Sequence, residues 1–219
     1  MRLRVKAVLF DLDGTLIDSA PDLAGAANDM RVARGLPALP YSAFRPMVGS
    51  GAKGMMGAGF GVGPDDAGFA DLRDEFLARY ELRMTRHTQV FSEVSELLSS
   101  LDAANVTWGI VTNKASRFAS PLVAALMLHQ RAAVIIAGDT TPHSKPHPAP
   151  LLEAARRMKI APGECAYVGD DLRDIQAGRA AGMTTVAAGW GYLGLGAPID
   201  AWGADHIASV PADVVSLLG

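Results

Sequence analysis

Val5, Ala7, Val8, Leu9 and Phe10 form an apolar run broken only by Lys6, the pattern of an interior strand buried on both faces. From Ser19 to Arg34 the spacing changes: Ala, Leu and Met recur at helical intervals, with Pro21 tolerable in a first turn and Gly35 as a stop. Leu36 to Gly63 is rich in proline and glycine, and Phe69 to Thr85 then reads as a second long helix with Leu72, Phe76, Leu77 and Tyr80 on one face. No strong strand is expected between about Asp18 and His87.

Beyond that point helical and strand patterns alternate. Helices are expected at Val94–Ala104, Arg117–Met127, Ala149–Met158 and Asp174–Ala181, and strands at Thr107–Thr112, Ala133–Ala137, Cys165–Gly169 and Thr184–Ala188. Strands separated by helices of this length predict an α/β fold with a parallel sheet covered on both faces, to which the first strand belongs. The expected organisation is a discontinuous core, residues 1–17 with 88–219, interrupted by a helical insertion over 18–87.

The chain has 219 residues, 49% hydrophobic and 20% charged, enough for one sizeable core. No apolar stretch approaches the length of a membrane span. The basic start (Arg2, Arg4, Lys6) runs straight into Asp11 and Asp13 with no signal-peptide apolar region, so a cytoplasmic location is expected. A net charge of −3 gives no reason to expect binding to nucleic acid or anionic lipid. Cys165 is the one cysteine and reads as a core residue, and the five histidines lack zinc-ligand spacing.

In open α/β folds ligands collect at the carboxyl ends of the strands, and the first strand ends in Asp11-Leu12-Asp13-Gly14-Thr15. Residues two apart on an extended strand point the same way, so Asp11 and Asp13 can enter one cleft and suit a hard metal ion. A turn whose carboxylates only cap the next helix is the plainer alternative. Three later stretches meet the same sheet edge. Thr112-Asn113-Lys114 brings a hydroxyl and amides able to hold a phosphate, or simply a helix cap. Lys145 stands in Ser144-Lys145-Pro146-His147-Pro148-Ala149-Pro150, where alternating prolines restrict where its ammonium points, as they also would in a stiffened surface loop. Asp170 and Asp171 end a strand, and Asp174 falls one helical turn on, placed to brace the same metal site or to begin a helix. Gly49-Ser50-Gly51-Ala52-Lys53-Gly54 matches a dinucleotide-binding pattern, but no buried strand leads into it; it reads as a flexible loop between helices.

Taken in order, Asp11-Leu12-Asp13-Gly14-Thr15, Thr112, Lys145 before proline and Gly169-Asp170-Asp171-x-x-Asp174 resemble the four motifs of the haloacid dehalogenase-like hydrolases. Thr112-Asn113-Lys114, Ser144-Lys145-Pro146-x-Pro148 and Gly189-Trp190-Gly191-Tyr192 resemble the phosphoglycolate phosphatases within that superfamily. Arg34-Gly35-Leu36-Pro37 and Trp202-Gly203-Ala204-Asp205 are similar to the N-acetylmuramic acid 6-phosphate phosphatases. The resemblance implies a Rossmann-like parallel-sheet core with a small helical cap inserted after the first strand. It implies a Mg2+-dependent phosphatase acting on a small phosphorylated metabolite, with phosphomutase chemistry as the alternative on the same fold. Asp11 is then the nucleophile and a metal ligand, and Asp13 the acid and base whose main-chain carbonyl also meets the metal. Asp170 completes the metal site, with Asp171 and Asp174 bracing it, while Thr112, Asn113 and Lys145 orient the phosphoryl group. Arg45 and Lys53 of the cap are the candidates for contact with the rest of the substrate. Carbon–halogen hydrolysis, which needs neither Asp13 nor Asp170, is disfavoured, and either a monomer or a homodimer is expected.

Overall fold

The computed structural model describes residues 5–218, so Arg2 and Arg4 of the basic start lie outside the described residues. Strand β1 (Ala7–Phe10) is fully buried and pairs in parallel with β4 (Thr107–Val111) on one side and β6 (Cys165–Gly169) on the other. With β5 (Ile135–Ile136), β7 (Thr184–Ala188) and β8 (His206–Ala208), they form a six-stranded sheet in the order β5-β4-β1-β6-β7-β8, all of it parallel. Alternate residues of β1 serve two cores. Val8 and Phe10 join Trp108, Ile110, Leu97, Leu101 and Val214 on one face, while Ala7 and Leu9 join Val111, Tyr167, Leu151 and Ala155 on the other. Two-sided burial is why the strand shows no polar alternation.

The covering helices are α5 (Ser92–Ala103), α6 (Ser116–Ala125), α7 (Ala149–Met158), α8 (Leu172–Ala180) and α9 (Pro211–Leu218). These confirm the alternation expected from the sequence, with additions at the carboxyl end: β8 and α9 carry too few apolar residues in regular register to stand out. Strand β5 is shorter than the expected Ala133–Ala137, although its ladder reaches further, since Ala133 N donates to Trp108 O at 2.9 Å. Cys165 is buried in β6, and burial pushes its thiol up to about 11, so it stays protonated and inert.

Between β1 and β4 the chain leaves the sheet through β2 (Ile17–Asp18) and returns through β3 (Gln89–Val90), which pair antiparallel. Two residues each are too short to register as strands in a sequence pattern. Between them lie α1 (Ala20–Ala33), α2 (Tyr41–Phe44), α3 (Gly51–Phe60) and α4 (Phe69–Glu81), with α1 packed against both α3 and α4. Here one expectation is corrected. Gly49–Gly54 is not a flexible loop: a 3-10 turn over Arg45–Ser50 runs into α3. Gly51, Gly54, Gly57 and Gly59 give that helix poor intrinsic propensity, and burial of Met55 and Met56 overrides it. Among the described residues no helix is long and apolar enough to cross a membrane.

Candidate active site

Asp11 leaves the sheet where β1 lies between its two neighbours, and its N–H still donates to Val168 O of β6 at 2.9 Å. The following residues fold into a closed turn in which Leu12 O accepts from Leu16 N and Ile17 N, while Gly14 N donates to Ile17 O. Gly14 has φ +84°, and a Cβ there would lie 2.2 Å from Asp170 Oδ2. Both the backbone conformation and the approach of the Asp170 carboxylate require glycine. We expect Gly14→Ala to cost at least about 2 kcal/mol, which for a chain of this size lowers the melting midpoint by roughly 4–8 °C in a thermal scan.

Lys145 is buried and sits between two carboxylates, its Nζ 2.8 Å from Asp11 Oδ1 and 2.7 Å from Asp174 Oδ1. It also donates to Tyr167 Oη at 2.7 Å and Val111 O at 3.1 Å. Asn113 fixes the lysine by its main chain: Nδ2 donates to Lys145 O and Oδ1 accepts from Lys145 N, both at 2.9 Å. Burial opposes the lysine's charge, but Asp11 and Asp174 overrule it and hold its pKa above the ordinary value. The contact with Asp11 is close in charge yet poorly aligned, so Asp11 Oδ1 is buried without a hydrogen bond. Burial pushes the Asp11 carboxyl up to about 7, against the lowering effect of Lys145, and Asp174 adds to the rise.

Asp170 ends β6 and is also buried. Its Oδ1 accepts from Thr15 Oγ1 and its Oδ2 from Tyr192 N, both at 2.8 Å. Burial, then the charges of Asp11 and Asp174, raise its pKa well above the usual carboxylate range. Asp171 caps α8, accepting from Arg173 N at 2.9 Å, and Asp174 Oδ2 accepts from Asp171 N at 3.1 Å in a reciprocal capping box. One carboxylate oxygen each from Asp11, Asp170 and Asp174 fall within 4.8 Å of one another. Three clustered carboxylates against one lysine, with an unpartnered oxygen on Asp11, fit a hard divalent cation. Asp174 is already engaged by Lys145, Tyr167 and the Asp171 amide, whereas each Asp170 oxygen accepts a single neutral hydrogen bond and keeps a lone pair for an ion.

Asp13 faces the same cavity and meets a residue that the sequence reading passed over. Lys114 Nζ donates to Asp13 Oδ1 at 2.9 Å and Oδ2 at 3.1 Å, and lies 4.9 Å from the centre of the Tyr80 ring. Burial works against the Lys114 ammonium, and the Asp13 carboxylate with Tyr80 more than offsets it, so its pKa is raised. Ser19 Oγ also donates to Asp13 Oδ1. The available signal was the lysine's place three residues beyond the end of β4 and two after the hydroxyl already singled out.

The cavity over these groups measures about 390 Å³. Thr112, Asn113, Lys145, Asp170, Asp171 and Asp174 line it with Asp11 and Asp13, and the helical segment contributes an apolar wall from Leu23, Val48, Phe76 and Leu77, with Tyr80 beside it. Thr112 is buried at the cavity floor and its Oγ1 accepts from Lys114 N at 3.1 Å. The two basic residues expected to meet substrate are not among its lining. Arg45 instead donates to Gly191 O at 3.1 Å with its guanidinium 5.1 Å from the centre of the Tyr192 ring, and Lys53 is exposed on α3. Arg173, held by Asp171, takes part in the lining in their place.

Residues 8–188 match the model of the haloacid dehalogenase-like hydrolase family. The chain is 41% identical over 212 residues to the N-acetylmuramic acid 6-phosphate phosphatase of Pseudomonas putida, covering 97% of this chain and 95% of the relative. It is 47% identical over 207 residues to the phosphoglycolate phosphatase of Xanthomonas campestris pv. campestris, covering 94% and 93%. The crystal structure of a predicted phosphoglycolate phosphatase from Haemophilus somnus 129PT superposes with a TM-score of 0.84 at 27% identity, over 98% of both chains.

Proposed function

Since the chain belongs to the haloacid dehalogenase-like hydrolases, we propose that it hydrolyses a small phosphomonoester, of the phosphoglycolate kind, through a phosphorylated Asp11 with Mg2+ as the metal. The observation that carries this reading is Asp11 itself: a half-buried carboxylate whose Oδ1 lies 2.8 Å from a buried lysine ammonium without a hydrogen bond, clustered with Asp170 at the end of a central strand.

Asp11 and Asp170 would hold the ion, with the Asp13 main-chain carbonyl. When bound, the cation neutralises phosphoryl oxygens and keeps Asp11 ionised. An Asp11 carboxylate oxygen attacks phosphorus, the bond to the ester oxygen breaks, and Asp13 delivers a proton to that oxygen as it leaves. Water then attacks the phosphorus of phosphorylated Asp11 while Asp13 takes its proton, releasing inorganic phosphate and restoring the Asp11 carboxylate and the protonated Asp13. Lys145 and Thr112 orient the phosphoryl oxygens, and Asn113 acts through the Lys145 main chain. Lys114 and Ser19 aim the Asp13 carboxylate. The helical segment over residues 18–87 serves as the cap, its wall of Leu23, Val48, Phe76 and Leu77 excluding bulk water from the transfer.

A second reading, hydrolysis of N-acetylmuramic acid 6-phosphate, is favoured by the apolar wall and by a cavity of about 390 Å³, which is roomy for a two-carbon acid. We expect phosphate release from p-nitrophenyl phosphate, and a panel ranked by kcat/KM to place one of these two esters first. No phosphate release from any ester in the panel would refute the phosphatase reading, and an isomeric phosphate returned without release would assign a phosphomutase.

A further inference from the structure

Helix α1 begins without a side-chain cap of its own. Its N-cap residue is Ser19, a residue type that normally turns its hydroxyl onto the first-turn amides, yet here it makes no capping bond. The cap comes from far along the chain. Tyr192, in the loop after β7, accepts at its hydroxyl from Ser19 N at 2.9 Å and Ala20 N at 3.1 Å, and donates to Asp18 Oδ1 at 2.9 Å. One donor and two acceptor positions exhaust what a phenol offers. Pro21, next in the helix, has no N–H to satisfy. Asp18 Oδ1 also accepts from Ala20 N at 3.3 Å, and the Ser19 hydroxyl, which would ordinarily reach the amide two or three residues on, donates to Asp13 Oδ1 instead.

The placement of Tyr192 is itself enforced. Its N–H donates to Asp170 Oδ2 at 2.8 Å, and a Cβ on the preceding Gly191 would lie 2.1 Å from Asp170 Cβ. Trp190 Nε1 donates to Thr15 O at 3.0 Å, and the Arg45 guanidinium lies over the Tyr192 ring. The ring is buried and its hydroxyl sits at the base of the helical segment.

We infer that Tyr192 is a positioning residue for proton transfer: by binding the Ser19 and Ala20 amides, its hydroxyl fixes the main chain from which Ser19 holds the Asp13 carboxylate toward the leaving group. Without that hydroxyl Ser19 N loses this acceptor, Ala20 N keeps only Asp18 Oδ1 at 3.3 Å, and the main chain at Ser19 is no longer fixed. The inference rests on the reading of Asp13 as the acid in the first transfer.

Leaving-group dependence tests it. An alkyl phosphate needs its departing oxygen protonated, whereas p-nitrophenolate departs readily without a proton, and kcat/KM stops at this first transfer. Tyr192→Phe keeps the ring and the main-chain bond to Asp170. It is expected to lower kcat/KM for an alkyl phosphate about tenfold, a fraction of what a positioned acid contributes, and to lower that for p-nitrophenyl phosphate less than about twofold. The aryl rate measured beside it also reports how much enzyme is folded. Ser19→Ala should show the same selective loss, and the double variant no more than either alone, because the two side chains act as one unit. Equal losses on both esters, or no loss, in both variants overturn the inference, and a selective loss in Ser19→Ala alone removes Tyr192 from it. A wild type inert on both esters refutes the phosphatase reading instead.

Discussion

Asp11→Asn will leave a folded protein with turnover reduced by about 10⁴-fold or more, because an amide cannot attack phosphorus and the remaining groups only bind and orient. The measurement is single-turnover phosphate release beside a thermal scan. Retained turnover would rule out the covalent route. The scan carries its own expectation. Burial raises the Asp11 carboxyl to about 7 from an ordinary value of 3.8, so folding favours its neutral form. A raised carboxyl contributes stability below the unfolded pKa and loses it as pH rises through the folded one. Metal-free wild type should therefore lose melting temperature between about pH 4 and 7, and Asp11→Asn, which has nothing to ionise at that position, should lose less.

Removing divalent cations with a chelator will bring phosphate release to background, and Mg2+ will restore it. The reason lies in the charges. Asp11, Asp170 and Asp174 lie within one small cluster with a single lysine ammonium between Asp11 and Asp174, and a phosphate dianion entering that site meets an excess of negative charge. Metal-independent turnover would sink the magnesium assignment. A second readout needs no substrate: Mg2+ at about a hundred times its dissociation constant should stabilise the fold by about 2.7 kcal/mol, roughly 5–10 °C for a chain of this length. The gain should fade at low pH, where Asp11 and Asp170, both with raised pKa, are protonated. Asp170→Asn should weaken it at every pH.

The sheet and its edge were legible because burial on two faces writes continuous apolar runs: Cys165–Gly169 and Thr184–Ala188 stand in the structure where the pattern puts them. Strand ends then locate the carboxylates without any knowledge of contacts. What pattern could not reach was pairing across distance. Lys114 touches Asp13 across 101 residues, and Tyr192 meets Ser19 across 173; the strand end puts Lys114 near the site but names no partner for it, and nothing local names one for Tyr192. Arg45 and Lys53 illustrate the converse difficulty, that charge alone does not place a side chain. Arg45 is held against the loop at Gly191 and Lys53 is exposed on α3. Helix α3 escaped for a third reason, since tertiary packing of Met55 and Met56 sustains a sequence that composition marks as a loop.

The short pairing of Ile17 with Val90 and Asp18 with Gln89 brings the two ends of everything between them to one strand spacing. For the six-stranded sheet, that pair is a doorway of fixed width. Whatever length of chain passes through it, the closure entropy grows only with the logarithm of that length, and the register of β1 against β4 and β6 is unaffected. Selection can lengthen, shorten or exchange the inserted helices to suit new leaving groups while the phosphoryl-transfer apparatus stays as it is.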